Sequence, residues 1–381
     1  MSRRLMVLLA LSTFAGASTI HYQTPMLGAF GLEFGADASA VGWVATLTFG
    51  GFLAGFVLIV PLGDRFDKRR VILAQIAVLV VALLAAAAAP TLPALATASF
   101  AIGLFACFAQ SIVPLVAELA RPDARGRTMG TLLTALFLGI LFGRLAGGLV
   151  AAQLGWRWMY VLAAAMLAGV GLALAAWLPD VAPKTALSYR QLMASMFALV
   201  RSHAEIQRIV AVHLLLGLCY GGFWATLAPM LQSAYGLGPA VAGLMGIPGA
   251  AGILVARRAG RSLDRRGPWP VVTTGIALVI AAYLIFGLGS WWIAATVTGA
   301  ILLDCGLRAA MVANQTVMNS LSPEARSRSN TIFGVSVWGG NALGALLASS
   351  ALGRAGWLGV CALGLLAATA ALAVQLLSRR D

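Results

Sequence analysis

Charged side chains are scarce in this chain: they make up 10% of its 381 residues, and Asp and Glu together number only 12. A soluble domain carries about 25% charged residues, so a water-facing surface along the whole chain is excluded. Histidine is down to three residues and cysteine to four (Cys107, Cys219, Cys305, Cys361), all four inside apolar stretches and without CxxC spacing. Such cysteines read as small packing residues, and neither disulfides nor a metal site is expected. No G-x-x-x-x-G-K-[ST] run occurs, which weighs against direct use of a nucleotide. A nucleophile, base or metal set on one helix face is also missing, so neither an enzyme nor a cofactor is expected. The lack of a large soluble appendage weighs against a non-transporting sensor or scaffold.

What is present is hydrocarbon. Hydrophobic residues make up 61% of the chain, and the mean hydropathy is +0.92. Apolar runs of about 18 residues or more recur from end to end, the mark of helices that cross a lipid bilayer. Hydropathy places twelve spans near 5–29, 39–62, 71–89, 93–119, 127–152, 158–178, 209–234, 239–258, 269–288, 291–317, 328–352 and 356–377. The 43 glycines spread through them suit closely packed membrane helices. Met1-Ser-Arg-Arg followed by Leu5 to Ala17 has the form of a signal peptide, but apolar character continues to about Phe30, so a retained first span is expected.

The net charge of +14 does not point to nucleic acid, because the basic residues sit in short loops between apolar runs. With the N-terminus inside, Arg3, Arg4, the 65–70 cluster, Arg121, Arg125, Arg127, Arg208, the 257–266 cluster, Arg326 and Arg328 all fall on the cytoplasmic side. Arg157 and Arg354 fall on the other. That split predicts an even number of spans and two cytoplasmic termini. The longest connection carries an amphipathic stretch, Leu192 to Val200, expected to lie at the membrane surface. It divides the chain into a six-span bundle over 1–180, a linker over 181–208 and a second bundle over 209–381.

The halves repeat one another. Asp64-Arg65 matches Asp264-Arg265, and Pro122–Arg127 matches Pro323–Arg328. Gly139 and Gly143 match Gly340 and Gly344, and Gly155-Trp156 matches Gly356-Trp357. Two parallel repeats related by an axis along the membrane normal are the build of one transporter class.

The loop Pro61–Arg70 resembles motif A of the major facilitator superfamily through Leu62, Asp64, Arg65, Lys68 and Arg69, with Val60 and Asp67 where glycines are usual. Its second copy has Gly260, Asp264, Arg265 and Gly267. Gly130, Gly139, Gly143, Gly147 and Gly148 resemble motif C of drug/proton antiporters, with Arg144 in place of the usual proline. The resemblance covers essentially the whole chain. It implies an all-α, polytopic fold of two pseudo-symmetric six-helix bundles, in a bacterial inner membrane, working as a monomer. It also implies a central cavity lined by the first, fourth, seventh and tenth spans, and a cytoplasmic gate. In that gate Asp64 sits at the helix end near Ser329–Asn330, while Lys68 or Arg69 pairs with Glu118 or Asp123.

Ionisable groups inside a membrane are rare and usually functional. Here they are His21, Arg144, His213, Asp304 and Arg308. Asp304, Arg308, Met311 and Gln315 are spaced by four, three and four residues and share a helical face. Asp304 is the best proton carrier, and its other reading is a fixed ion pair with Arg308. Arg144 and Asp304 come out at about 24 Å and about 22 Å from the cytoplasmic side, at ~1.5 Å per residue. His21 lies at a comparable depth. Together they form a coupling or anion-binding cluster, unless Arg144 only bonds backbone carbonyls. Tyr22, Gln23, Gln110, Tyr220, Trp224, Asn314 and Asn341 are cavity candidates, with Trp43, Phe223 and Trp338 as further aromatic lining. Trp156, Trp158, Trp291 and Trp292 read as interface anchors. The expected function is a proton-coupled exporter of a drug or metabolite. The alternative is a proton-coupled importer or facilitator of sugars or organic acids.

Overall fold

The computed structural model describes residues 3–119, 125–180, 189–249, 263, 267–289, 291–321 and 326–378. Within hydrocarbon every backbone N–H and C=O must pair inside its own segment, and apolar runs of this length do so as helices. Ten helices are long and apolar enough to span. One of them, Arg326–Leu377, contains two spans joined at Gly356, whose φ of 64° breaks the helix. Two short apolar helices, Pro239–Leu244 and Gly246–Gly249, stand where the eighth span is expected. Twelve spans result.

In chain order the first six are Arg3–Phe34, Ala38–Leu58, Lys68–Ala87, Leu92–Leu119, Arg125–Gln153 and Trp156–Trp177. The seventh is Ala204–Tyr235, the eighth starts at Pro239, the ninth is Pro268–Phe286 and the tenth is Ile293–Leu321. Asp37 and Thr91 cap the second and fourth by accepting the amide hydrogens of Ala40 and Ala94. One apolar core is built almost wholly from residues 8–178, and a second from residues 212–371. The helix Tyr189–Ser202 is not only a surface element. Its Met196, Leu199 and Val200 pack on Ile206, Met318 and Phe333 of the second half.

The first span is not one helix. It runs from Arg3 to Thr19, loses helical form over Ile20–Gln23, makes a 3-10 turn over Thr24–Met26, and resumes from Leu27 to Phe34. The fourth breaks at Cys107 and the eighth at Met245. Span five holds the first span closely: a methyl group on Gly139, Gly143 or Gly147 would lie 2.4, 2.5 or 2.4 Å from the carbonyl oxygen of Phe14, Ser18 or Tyr22. The second half repeats this packing between spans seven and eleven, where Gly340 and Gly344 face the carbonyls of Leu214 and Leu218 at 2.2 and 2.1 Å on the same construction. Gly35 and Gly236, 201 positions apart, also both end a helix in the left-handed region, at φ 59° and 65°.

The halves meet at the end away from Arg3 through Gly28 against Ala228, Gly42 against Ser349, Gly148 against Pro239, and Ser39 against Gly353. At the end near Arg3, Phe56 packs on Gly334.

Candidate functional site

Midway along the interface, Arg144 of span five is 3% exposed and reaches into the other half. Its Nη2 donates to the Tyr220 hydroxyl at 2.7 Å, and its guanidinium lies 3.4 Å over the Trp224 ring centroid. Among the described residues its hydrogen bond goes to a side chain and not to a backbone carbonyl. The short Gly246–Gly249 turn makes room for it, since a methyl at Gly246 would lie 3.3 Å from Arg144 Cβ.

Span ten supplies the acid. Asp304 is 2% exposed, and Arg308 Nη2 lies 3.8 Å from its Oδ1. That is an ion pair by distance but too long for a hydrogen bond, so the fixed-pair reading of Asp304 finds weak geometry. Asp304 Oδ2, Arg144 Nε and Trp224 Nε1 are buried without a hydrogen-bond partner among the described residues. Arg308 stands 5.0 Å from the Phe137 ring centroid. Phe137, Arg144, Gly249, Asp304 and Arg308 line one cavity of about 20 Å3, room for about one water. The site joins two guanidinium groups and one carboxylate, contributed by both halves.

His21 sits in the unwound part of span one, buried, with Nδ1 2.9 Å from the Ala17 carbonyl, to which it donates. Its ring is 6.4 Å from Trp338, which packs at a tilt on Phe52, with centroids 4.4 Å apart. Tyr22 and Gln23 are buried beside it. The structure thus gathers Arg144, Asp304, Arg308, Tyr220 and Trp224. Other candidates fall elsewhere. Gln315 is exposed, Gln110 is half-buried, and Trp43 is 47% exposed. Met311 packs partly buried against the second core. Phe223 stacks on Phe286 inside the second half, and Asn341 is buried against Gly221. Trp158, Trp291 and Trp292 are exposed, but Trp156 is buried. Its Nε1 donates to Glu33 at 2.5 Å, so it is an internal tie and not an interface anchor.

A second polar cluster brings the candidates His213 and Asn314 beside Arg208, which the sequence does not single out. The charge pattern places Arg208 in a loop, yet span seven starts at Ala204 and Arg208 is 5% exposed. It pairs with Glu205 at 2.6 Å, donates to Gln375, and lies 5.4 Å over the Trp269 ring. Asn314 donates to His213 Nε2 at 3.1 Å next to it. The signal available was Glu205 three residues before Arg208, a helical spacing for an ion pair.

The gate is described only in part. The side chains of Asp64 and Glu118, together with Asp123, Asp264 and Arg265, lie outside the described residues. Arg65 is exposed and Lys68 buried. Asp67 caps the third span through the Arg69 amide at 2.9 Å. Arg69 was expected opposite an acid around the end of span four. Instead its Nη1 donates to Asp180 at 2.8 Å and its Nη2 to the Ala175 carbonyl at 2.5 Å, both in the same half. A larger cavity of about 660 Å3 lies at the end away from Arg3, lined by Leu27, Val41, Gln232 and Trp357 among others, with no ionisable group on its walls. The ionisable groups line the small cavity instead.

The sequence profile of the Major Facilitator Superfamily matches residues 6–322. The uncharacterized transporter YgaY of Escherichia coli O157:H7 is 34% identical over 369 residues, covering 96% of this chain and 93% of the relative. A multidrug resistance protein B homolog of Mycobacterium tuberculosis H37Rv is 24% identical over 390 residues, covering 84% and 70%. Among solved structures, a mutant of the nucleoside transporter NupG superposes with a TM-score of 0.81 at 15% identity, covering 98% of each chain. The D-xylose-proton symporter does so at 0.73 and 14%, covering 97% and 96%.

Proposed function

Because the chain belongs to the major facilitator superfamily and is a multi-pass membrane transporter, we propose that it exports a small organic compound, a drug or a metabolite, in exchange for protons by alternating access. The observation that carries this reading is the interface cluster, where Asp304 with an unpartnered oxygen faces two arginines from opposite halves. A carboxylate so placed takes and releases a proton as the halves rock, and its charge changes the attraction across the interface. Residues 1–180 and 209–381 are the two rocking bodies, joined by 181–208. The packed end away from Arg3 supports a state closed on that side. The basic loops support placing the opposite end in the cytoplasm of a bacterial inner membrane. Asp64, Arg65, Lys68, Glu118, Asp123, Asp264 and Arg265 form the gate at that end, while Arg69 ties the third span to the end of the sixth. The glycine packing of span five, and the multidrug homolog at 24% identity, support export.

A second reading, a proton-coupled importer or facilitator of organic acids, is favoured by the excess of guanidinium over carboxylate in the cluster. Purified protein in proteoliposomes with an imposed pH gradient separates the two. Export predicts compound movement opposite to proton flow, and the second reading predicts movement with it. Absence of gradient-dependent flux for every compound in a broad panel would remove both.

A further inference from the structure

The central cluster is short of negative charge. Arg144 is 3% exposed and Asp304 2%, and a buried charge is stable only when paired. Asp304 is paired, weakly, with Arg308 at 3.8 Å. Arg144 has no carboxylate within ion-pair distance among the described residues. Its contacts are the neutral Tyr220 hydroxyl and the Trp224 face. Two guanidinium groups and one ionised carboxylate leave a local charge of about +1 in a low-dielectric site. Three polar atoms around the cluster are unpartnered among the described residues, and two of them, Arg144 Nε and Trp224 Nε1, are donors. A glycine keeps the space open, because a methyl at Gly249 would lie 2.9 Å from Asp304 Oδ2 and 3.2 Å from Trp224 Cζ2.

Donors, net positive charge and enforced space together fit an anion. We propose that this cavity receives the anionic headgroup of the transported compound, an organic monoanion whose flat apolar body lies along Trp224, Tyr220 and Phe137. The claim rests on the transport reading, though not on its direction. The planar guanidinium fork of Arg144 matches a carboxylate in two-point hydrogen bonding. The cavity holds about 20 Å3 in this state, room for about one water, so the headgroup enters as the walls part. Phe137, Leu141 and Arg144 form one wall, while Gly246, Gly249, Asp304 and Arg308 form the other. The walls belong to different halves, so parting them widens the same site. Asp304 is then the internal competitor of the ligand for the arginines.

Binding to the purified full chain tests this without any flux measurement. The probes are matched pairs on one body: 1-naphthoate against 1-naphthylmethylammonium, and cyclohexanecarboxylate against cyclohexylammonium, with sodium chloride as a separate arm. Each carboxylate should bind at least ~10-fold tighter than its ammonium twin, the effect of about 1.4 kcal/mol. Arg144→Gln should remove that preference. Asp304→Asn should tighten 1-naphthoate by at least ~3-fold, since the competing charge is gone, and this arm stands even if Arg144→Gln fails to fold. Equal or tighter binding of the ammonium twins would overturn the proposal, as would unchanged 1-naphthoate affinity in both variants. Saturation by chloride alone, with no gain from the naphthalene body, would overturn the organic source. Carboxylate binding without gradient-driven flux in proteoliposomes would instead overturn the transport reading and leave the anion site standing.

Discussion

Asp304 and Arg208 are both buried beside opposite charge, yet they are held differently. Arg208 is enclosed by Glu205, Gln375 and Trp269, whereas Asp304 keeps a free oxygen and a distant partner. A charge fully satisfied by its neighbours stabilises one structure; one half-satisfied is ready to change state. Asp304→Asn should therefore fold normally and abolish the dependence of flux on an imposed pH gradient, read in proteoliposomes by a pH-sensitive dye. Retained coupling would exclude Asp304 as the proton carrier. Arg208→Ala should act on stability, because it strands the Gln375 side chain and empties the space over Trp269. The expected loss is about 2 kcal/mol, read as a lowered Tm of the purified protein, while substrate affinity stays within ~3-fold of the parent.

At the scale of elements, the five spaced glycines Gly130, Gly139, Gly143, Gly147 and Gly148 of span five do not share one role. Gly139, Gly143 and Gly147 recur every four residues, so they form a single groove along the helix, and the first span lies in it at backbone contact. Gly130 has nothing within 4 Å of an added methyl. Gly143→Ala should push the first span outward and cost about 2 kcal/mol, with transport falling at the same time. Gly130→Ala should change Tm and flux little, or even stabilise, as alanine favours a helix by ~1 kcal/mol over glycine. Similar losses for both would mean that the groove is not what these glycines provide. The groove also explains why the break in span one is tolerated: Gly147 comes against the Tyr22 carbonyl, next to His21 and Gln23.

For the whole molecule, alternating access requires the packed end away from Arg3 to part. Ser39 and Gly353 face each other there across the halves, and a Cβ on Gly353 would lie 3.5 Å from Ser39 Cβ, within the range a disulfide spans. The double substitution Ser39→Cys with Gly353→Cys should lose at least ~10-fold in flux when oxidised and recover on reduction. Full turnover while cross-linked would show that this end stays shut throughout the cycle.

Twelve spans and their pairing into repeats followed from the sequence because hydropathy and charge are properties of local composition, and lipid admits few backbone solutions. The repeat spacing of 200 or 201 set the equivalence of Gly155-Trp156 with Gly356-Trp357, and both glycines adopt positive φ, at 90° and 64°. The Asp304–Arg308 face was legible for the same reason, since helical periodicity is local. Tertiary structure alone decided what stands opposite each residue. It laid Arg144 on Trp224, buried Arg208 and Trp156, carried Arg69 to Asp180, and unwound the first span at His21. Each of these depends on which helix packs against which, and at what height, and no pattern along a single segment encodes that.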